Sequence, residues 1–374
     1  MIDYVQLKAN YIYIDTPYDM LYVCQEREDS NGSPNSMNCV LSHILGILSA
    51  YIFPFVGTFG LVSNVLIFYI FVFKYPKKTR QTVFLIFLSI SDFSLIFSFG
   101  WLWLFPAKGL PYSSKGNIYL FIINTSDLAC RLYKGFYITC STWMFTTFCM
   151  ICSDRLLAIF FPLKMINFHY KSAIVISLVF LLVTIAFATV SNGFLRSIKV
   201  GTKIFCSANA GFSGLLLDFL KWWRLLFVFT GLIPSLYILL INFSLAIKIL
   251  HMQNKMSNIT ESSSKSFKKE IKATAFVFIL SILFLLGNVP NLSFFLAISY
   301  LQNLGLNDQA TQELIQVLYN LGDIGYHFTI VTECLNILVY YKKMKTFRRK
   351  FKEILCFRGS KEISGISSQE TNFH

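Results

Sequence analysis

The chain is short of charge. Asp, Glu, Lys and Arg make up only 14% of its 374 residues, against about 25% in an ordinary globular chain. So few charged groups cannot cover a water-soluble surface of this size, and they exclude intrinsic disorder as well. Histidine is scarce too, five in all, with no spacing that would hold a metal. His-Glu-x-x-His, Gly-x-Ser-x-Gly and a phosphate-cradling glycine loop are absent, so the common hydrolase and nucleotide-enzyme patterns find no support and no enzyme is expected. The first ten residues, Met1 to Asn10, lack a basic start followed by an apolar core, so no cleaved signal peptide is expected. Internal repeats are lacking, and the same composition excludes collagen, coiled coil and a small disulfide scaffold. What is there is apolar bulk: 55% hydrophobic residues, 17% aromatic, 39 Phe and a mean hydropathy of +0.57. A membrane protein is the reading this composition favours.

A helix needs about 20 mostly apolar residues to cross the hydrocarbon core. Seven stretches qualify, at roughly 44–73, 82–105, 128–161, 172–193, 222–250, 271–300 and 314–341. None alternates like a barrel strand, so backbone satisfaction in lipid requires helices. The expected architecture is an all-α membrane protein. An outer segment, 1–43, precedes a bundle of seven transmembrane helices, 44–341, and a tail, 342–374.

The net charge of +14 raises the question of nucleic acid, and its placement answers it. Lys74, Lys77, Lys78 and Arg80 follow the first span, Lys164 and Lys171 the third, and Lys248, Lys255, Lys265, Lys268, Lys269 and Lys272 the fifth. The segment from Lys342 onward is basic as well. Positive-inside bias puts these segments in the cytosol and the N-terminus outside the cell. The excess then faces the anionic lipids of the inner leaflet, and no nucleic acid is needed. On the outer side Asn31-Gly32-Ser33 is a glycosylation acceptor, with Asn124-Thr125-Ser126 a second one near the membrane.

Several polar groups stand inside the spans: Asn64, Asp92, Asn288, Asp323, Glu333 and Asn336. Such groups are costly in lipid and face a bundle interior, where they are functional candidates. For any one of them alone, a satisfied interior hydrogen bond is the plainer reading. Their order changes the weighing. The third span ends Ser153-Asp154-Arg155-Leu156-Leu157-Ala158-Ile159-Phe160-Phe161-Pro162-Leu163, which resembles the Asp-Arg-Tyr…Pro-Leu segment of rhodopsin-like (class A) G-protein-coupled receptors. Gly60-Leu61-Val62-Ser63-Asn64 is similar to the family's first-span signature, and Leu88-Ser89-Ile90-Ser91-Asp92 to its second. Cys130 precedes Arg155 at the family's spacing. Pro234 suits the fifth span, Phe284 with Pro290 the sixth, and Asn336-Ile337-Leu338-Val339-Tyr340 stands where the family has Asn-Pro-x-x-Tyr. Phe347 and Phe351 fall in a basic stretch placed like the family's short amphipathic eighth helix. The chain departs at Leu156 for Tyr, Ile337 for Pro, Asn288 for the sixth-span Trp and Asn242 for the fifth-span Tyr. The resemblance spans about residues 40–357.

What the resemblance implies is specific. Cys130 and Cys206 would form the outer disulfide; Cys24 and Cys39, also outside, could pair with each other. Asp154, Arg155, Glu270, Asn336 and Tyr340 would form the activation switch, with a resting-state Arg155–Glu270 lock. Asn64, Asp92 and Glu333 would meet Asn336 in a mid-bundle polar network. In the family such a network often holds a sodium ion, but Met144 stands where a hydroxyl would help bind it. A water-filled network with one acid protonated is the preferred expectation, with sodium second. Tyr137 replaces the Asp that amine receptors use, and the seventh span lacks a retinal lysine. Arg131, Lys134, Tyr137, Asn288 and Asp323 are the candidate ligand-binding residues. The mixed charge of the outer face suits a peptide; a small anionic metabolite, a nucleotide or a chemosensory ligand is the alternative, and a seven-span transporter the alternative of another class. Cys356 reads as a palmitoylation site or an idle thiol. Ser364, Ser367, Ser368 and Thr371 read as phosphorylation sites for an arrestin or as inert tail. The expected partners are an extracellular ligand, a heterotrimeric G protein and membrane lipids, at the plasma membrane.

Overall fold

In the computed structural model, the described residues are 16–29, 36–76, 78–118, 120–122, 125–161, 165, 168–192, 195–200, 203–208, 214–255, 261–304 and 308–355. For 23, 26–29, 36, 191–192, 195–200, 203–205, 207–208, 214–229, 252–255, 261–270, 303 and 309 this covers the backbone alone. Along the chain, α1 (Pro17–Asp29) precedes α2 (Met37–Lys74), α3 (Arg80–Ser113), α4 (Asp127–Phe160) and α5 (Tyr170–Asn192). An antiparallel hairpin of β1 (Leu195–Val200) and β2 (Lys203–Ala208) follows, with Ser197 opposite Cys206. The chain continues with α6 (Gly214–Lys255), α7 (Glu261–Asn303), α8 (Gln309–Lys343) and α9 (Lys345–Leu355).

Six of these helices, α2 to α7, are long and apolar enough to cross a membrane. The most lipid-like is α5, and its burial pattern explains how it sits. Ala173, Ser177, Thr184 and Ala188 are buried on one helical face, while Val175, Leu178, Val179, Leu182 and Val183 are exposed on the other. Small side chains turn toward the bundle and large apolar ones away, the arrangement expected where lipid is the solvent. The opposite case is α8. It has the length, 35 residues, but its apolar average is diluted by Asp323, His327, Glu333 and Asn336. All four are buried against its neighbours.

Caps fix where helices begin. Thr79 accepts from the Thr82 N–H at 3.2 Å and makes Arg80 the first residue of α3. Ser126 caps α4 through the Ala129 N–H at 3.1 Å. Asp308 caps α8 by accepting from both the N–H and the hydroxyl of Thr311, at 3.0 and 2.7 Å. These bonds hold the Asp308 carboxyl below its usual value. The mid-part of α3, Ile96–Gly109, is wound in wide i→i+5 turns and contains Pro106. Helical backbone therefore continues to Ser113, past the expected end of the second span near residue 105. The helix of the fifth span, α6, likewise begins at Gly214, ahead of the expected 222. On α9, Phe347 is fully buried, 5.5 Å from Phe71 and 5.6 Å from Tyr340 by ring centroids.

Candidate functional site

Polar groups meet at three levels of the bundle. At the end that carries Arg155, Asp154 is the hub. Its Oδ2 accepts from Arg155 Nη2 at 2.5 Å, and its Oδ1 accepts from Arg80 Nε at 2.9 Å. All three side chains are largely buried. Charge-assisted bonds of this kind are the strong ones, and the planar arginine fork can serve several acceptors at once. Arg80 uses that: its Nη1 also donates to the carbonyls of Met165 and Phe168, the latter at 3.1 Å. Nearby, Ser153 shares a 2.9 Å hydrogen bond with Tyr237 of α6, and Cys152 lies 3.3 Å from the Ser281 hydroxyl of α7. The side chain of Glu270, the expected partner of Arg155, lies outside the described residues. Tyr340 sits in an aromatic cluster with Phe71, Phe276 and Phe347, which joins α2, α7, α8 and α9.

At mid-bundle, Asn336 Nδ2 donates to Asp92 Oδ2 at 2.8 Å, tying α8 to α3. Asn64 is buried, but its amide donates to the Gly60 carbonyl of its own helix at 3.0 Å, so no direct bond carries it to Asp92. Glu333 is buried too, and Asp92 acts on it electrostatically. Asp92 Oδ1, Asn64 Oδ1 and both Glu333 oxygens are buried with no hydrogen-bond partner among the described residues. Close approach of α2 and α8 depends on Gly60, where a Cβ would stand 2.5 Å from Cys334 Sγ and 2.8 Å from Ile96. Between α7 and α8, Thr329 Oγ1 donates to the Gly287 carbonyl at 2.8 Å.

The third level is at the Cys130 end. Lys108, near the end of the wide-turn stretch of α3, pairs with Asp323 of α8 at 3.4 Å and lies 5.6 Å over the Trp103 ring. Both charged residues are buried. Around them runs an aromatic wall: Phe99 lies 3.7 Å from Tyr326 by ring centroids and 5.3 Å from Tyr137, and Tyr133 stacks on Tyr137 at 6.4 Å. Ser49 of α2 meets His327 Nε2 at 3.0 Å. Of the sequence candidates, Tyr137 and Asp323 come together here. Arg131 and Lys134 are half-buried on α4. Asn288 is buried and donates to the Phe284 carbonyl one turn back, at 2.9 Å. Two disulfides close this end: Cys130–Cys206 ties the hairpin to α4, and Cys24–Cys39 ties α1 to α2. Asn31 and Cys356 lie outside the described residues.

Sequence reasoning missed Arg80, Lys108 and His327. Arg80 was legible only as one more loop charge. Lys108 fell just past the expected end of a span, where a lysine is ordinary. Its signal was the apolar run Phe105-Pro106-Ala107 directly before it, which keeps that lysine within reach of the bundle.

A search of curated proteins returned no match to this sequence. A family model described as 7 transmembrane receptor (rhodopsin family) matches residues 63–340. That match runs from Ser63 through Tyr340 and takes in Asp92, Asp154, Arg155 and Asn336. It begins in the second half of α2, takes in α3 to α7 and runs to Tyr340 near the end of α8, so the polar seventh helix is part of the matched unit. The chain belongs to the rhodopsin family of seven-transmembrane receptors and is a multi-pass membrane protein.

Proposed function

We propose that this receptor carries the presence of an extracellular peptide to heterotrimeric G proteins in the cytosol. On this reading the Cys130 end faces outward, and the Arg155 end faces inward with α9 and the tail, in accord with the basic loops. The observation that carries the proposal is that α3 and α8 are joined by polar bonds at two levels. Lys108–Asp323 lies at the outer end and Asp92–Asn336 at mid-bundle. A ligand that prises the outer pair changes the spacing of two helices whose inner halves lead to Asn336 and Tyr340. The ligand needs only differential affinity for two arrangements, and coupling of about 1–3 kcal/mol is typical. Inside, the change ends with Arg155 leaving Asp154 and, on the sequence expectation, Glu270, to open the G-protein site. Arrestin recruitment by the phosphorylated tail would end the signal.

A peptide suits the outer end because its termini and side chains carry both signs of charge, as Lys108 and Asp323 do. A small anionic metabolite or nucleotide is the second reading, favoured by the buried Lys108 with Arg131 and Lys134 on the neighbouring helix. Sodium is compatible with the mid-bundle donors: Asp92 Oδ1, Asn64 Oδ1 and the Glu333 oxygens are hard ligands. Bound there it would supply positive charge between two acids. Ordered water would satisfy the same oxygens, and Met144, buried with its sulfur, is a poor sodium ligand.

The test is a screen of peptide and anionic-metabolite libraries on cells expressing the full chain with G-protein activation sensors. A peptide that activates wild type and loses at least tenfold in potency on Asp323→Asn supports the proposal. Activation only by carboxylates or nucleotides moves the assignment to the second reading. Solute uptake or current without G-protein activation contradicts both.

A further inference from the structure

The inner cluster holds one cation more than a simple pair needs. Asp154 is buried, with its two oxygens divided between two arginines from different helices. If Arg155 alone held it, departure of Arg155 would leave a carboxylate buried with no partner, an arrangement that strongly disfavours the departed state. Arg80 removes that obstacle. It approaches Asp154 from α3 through Nε on Oδ1, so it does not compete with Arg155 for Oδ2. Its Nη1 is fixed on the Met165 and Phe168 carbonyls, beyond the C-terminal end of α4. The Thr79 cap holds Arg80 at the first position of α3, so its reach is set by a helix end rather than by a free loop.

We propose that Arg80 is the positioning residue that makes Arg155 releasable: it keeps Asp154 paired after Arg155 leaves and anchors the segment after α4 to the same carboxylate. The inference rests on the reading of Arg155 as the group that moves when a G protein engages. Arg80 therefore favours the signalling state, whereas a second lock on Arg155 would oppose it. Asp154 is then the point through which Arg80 acts, and removing that carboxylate should remove the need for Arg80.

The experiment uses the full chain in lipid nanodiscs with a panel of purified heterotrimeric G proteins, and reads ligand-free guanine-nucleotide exchange per receptor. Wild type, Arg80→Gln, Asp154→Asn, the double variant and Arg80→Lys are compared, with thermal unfolding as the check on folding. Arg80→Gln is expected to lower exchange about tenfold in the wild-type background and less than about twofold in the Asp154→Asn background, where no buried anion is left. Arg80→Lys keeps the charge but loses the fork, and is expected to fall between wild type and Arg80→Gln. An equal loss in both backgrounds overturns the proposal, because Arg80 would then act without Asp154. A rise on Arg80→Gln in the wild-type background overturns it too, by making Arg80 a lock. If Arg80→Gln does not fold, Arg80→Lys and the double variant decide: Arg80→Lys matching wild type while the double variant loses tenfold against Asp154→Asn is also an overturning result. Flat exchange in every variant, with all of them folded, instead sinks the G-protein reading on which the inference stands.

Discussion

The two ends of the bundle both bury an ion pair, and they are built differently. At the Cys130 end one lysine meets one aspartate at 3.4 Å, with an indole beneath the ammonium and a wall of aromatic rings around it. At the Arg155 end one aspartate is shared by two arginines, at 2.9 and 2.5 Å, and one arginine is further tied to backbone carbonyls. The Lys108–Asp323 pair joins α3 to α8 through one lysine and one aspartate, so a group that displaces either changes the contact between those two helices. At the Arg155 end, loss of either arginine contact leaves Asp154 paired with the other. A site that must sense an arriving group benefits from the first design. A site that must release one arginine repeatedly benefits from the second.

The sharpest way to break that comparison is to remove one charge at each end. Asp323→Ala takes the carboxylate from buried Lys108 and should cost about 3 kcal/mol, in the range for a broken buried pair. Arg80→Gln leaves Asp154 with Arg155 but removes a charge-assisted bond and weakens the hold on the Met165 and Phe168 carbonyls, and should cost about 2 kcal/mol. Thermal unfolding of the purified chain in detergent measures both, and equal losses would erase the difference between the ends. A Lys108→Met, Asp323→Leu double variant should recover most of the first loss, since well-packed apolar groups can replace a buried pair.

The link between the ends comes next in size. Asn336→Ala takes the donor from Asp92 Oδ2 and should cost about 2 kcal/mol, because it leaves a second buried carboxylate oxygen without a protein partner. Asn336→Asp, which offers no donor when ionised, should not rescue it, whereas Asn336→Gln should in part. Smallest of all is the cap at Asp308, exposed at the N-terminal end of α8. Its carboxyl is held low by Thr311, so its stabilising contribution is full above the ordinary carboxylate range and is lost as pH falls through the depressed value. The difference in unfolding temperature between wild type and Asp308→Ala should be present at pH 6 and shrink toward zero on acidification.

Much of this molecule could be read from its residues. The apolar length of α2 to α7 needs no tertiary information, and α5 shows why: lipid rewards the same side chains wherever they point. Asp323, Glu333 and Asn336 on α8 were legible as costly groups, and the order of such groups along the chain carried the family resemblance. Other features were hidden for physical reasons. A run of wide turns alters the residue count per turn, so spacing along α3 could not show that Lys108 faces Asp323. Arg80 belongs to a basic loop by composition and to α3 by its Thr79 cap, and only the fold tells which acid it meets. α1 lacks an apolar face that would announce a helix; the Cys24–Cys39 bond and the burial of Met20 hold it against the bundle instead.

The central claim is that the Asp154–Arg155 end of the bundle is the output. Nucleotide exchange by purified G proteins on nanodiscs holding wild type, Asp154→Asn or Arg155→Ala tests it without any ligand. The account predicts that one G-protein class is accelerated in the order Asp154→Asn, wild type, Arg155→Ala, with the last at the level of empty discs. Exchange by folded Arg155→Ala equal to that of Asp154→Asn would contradict it.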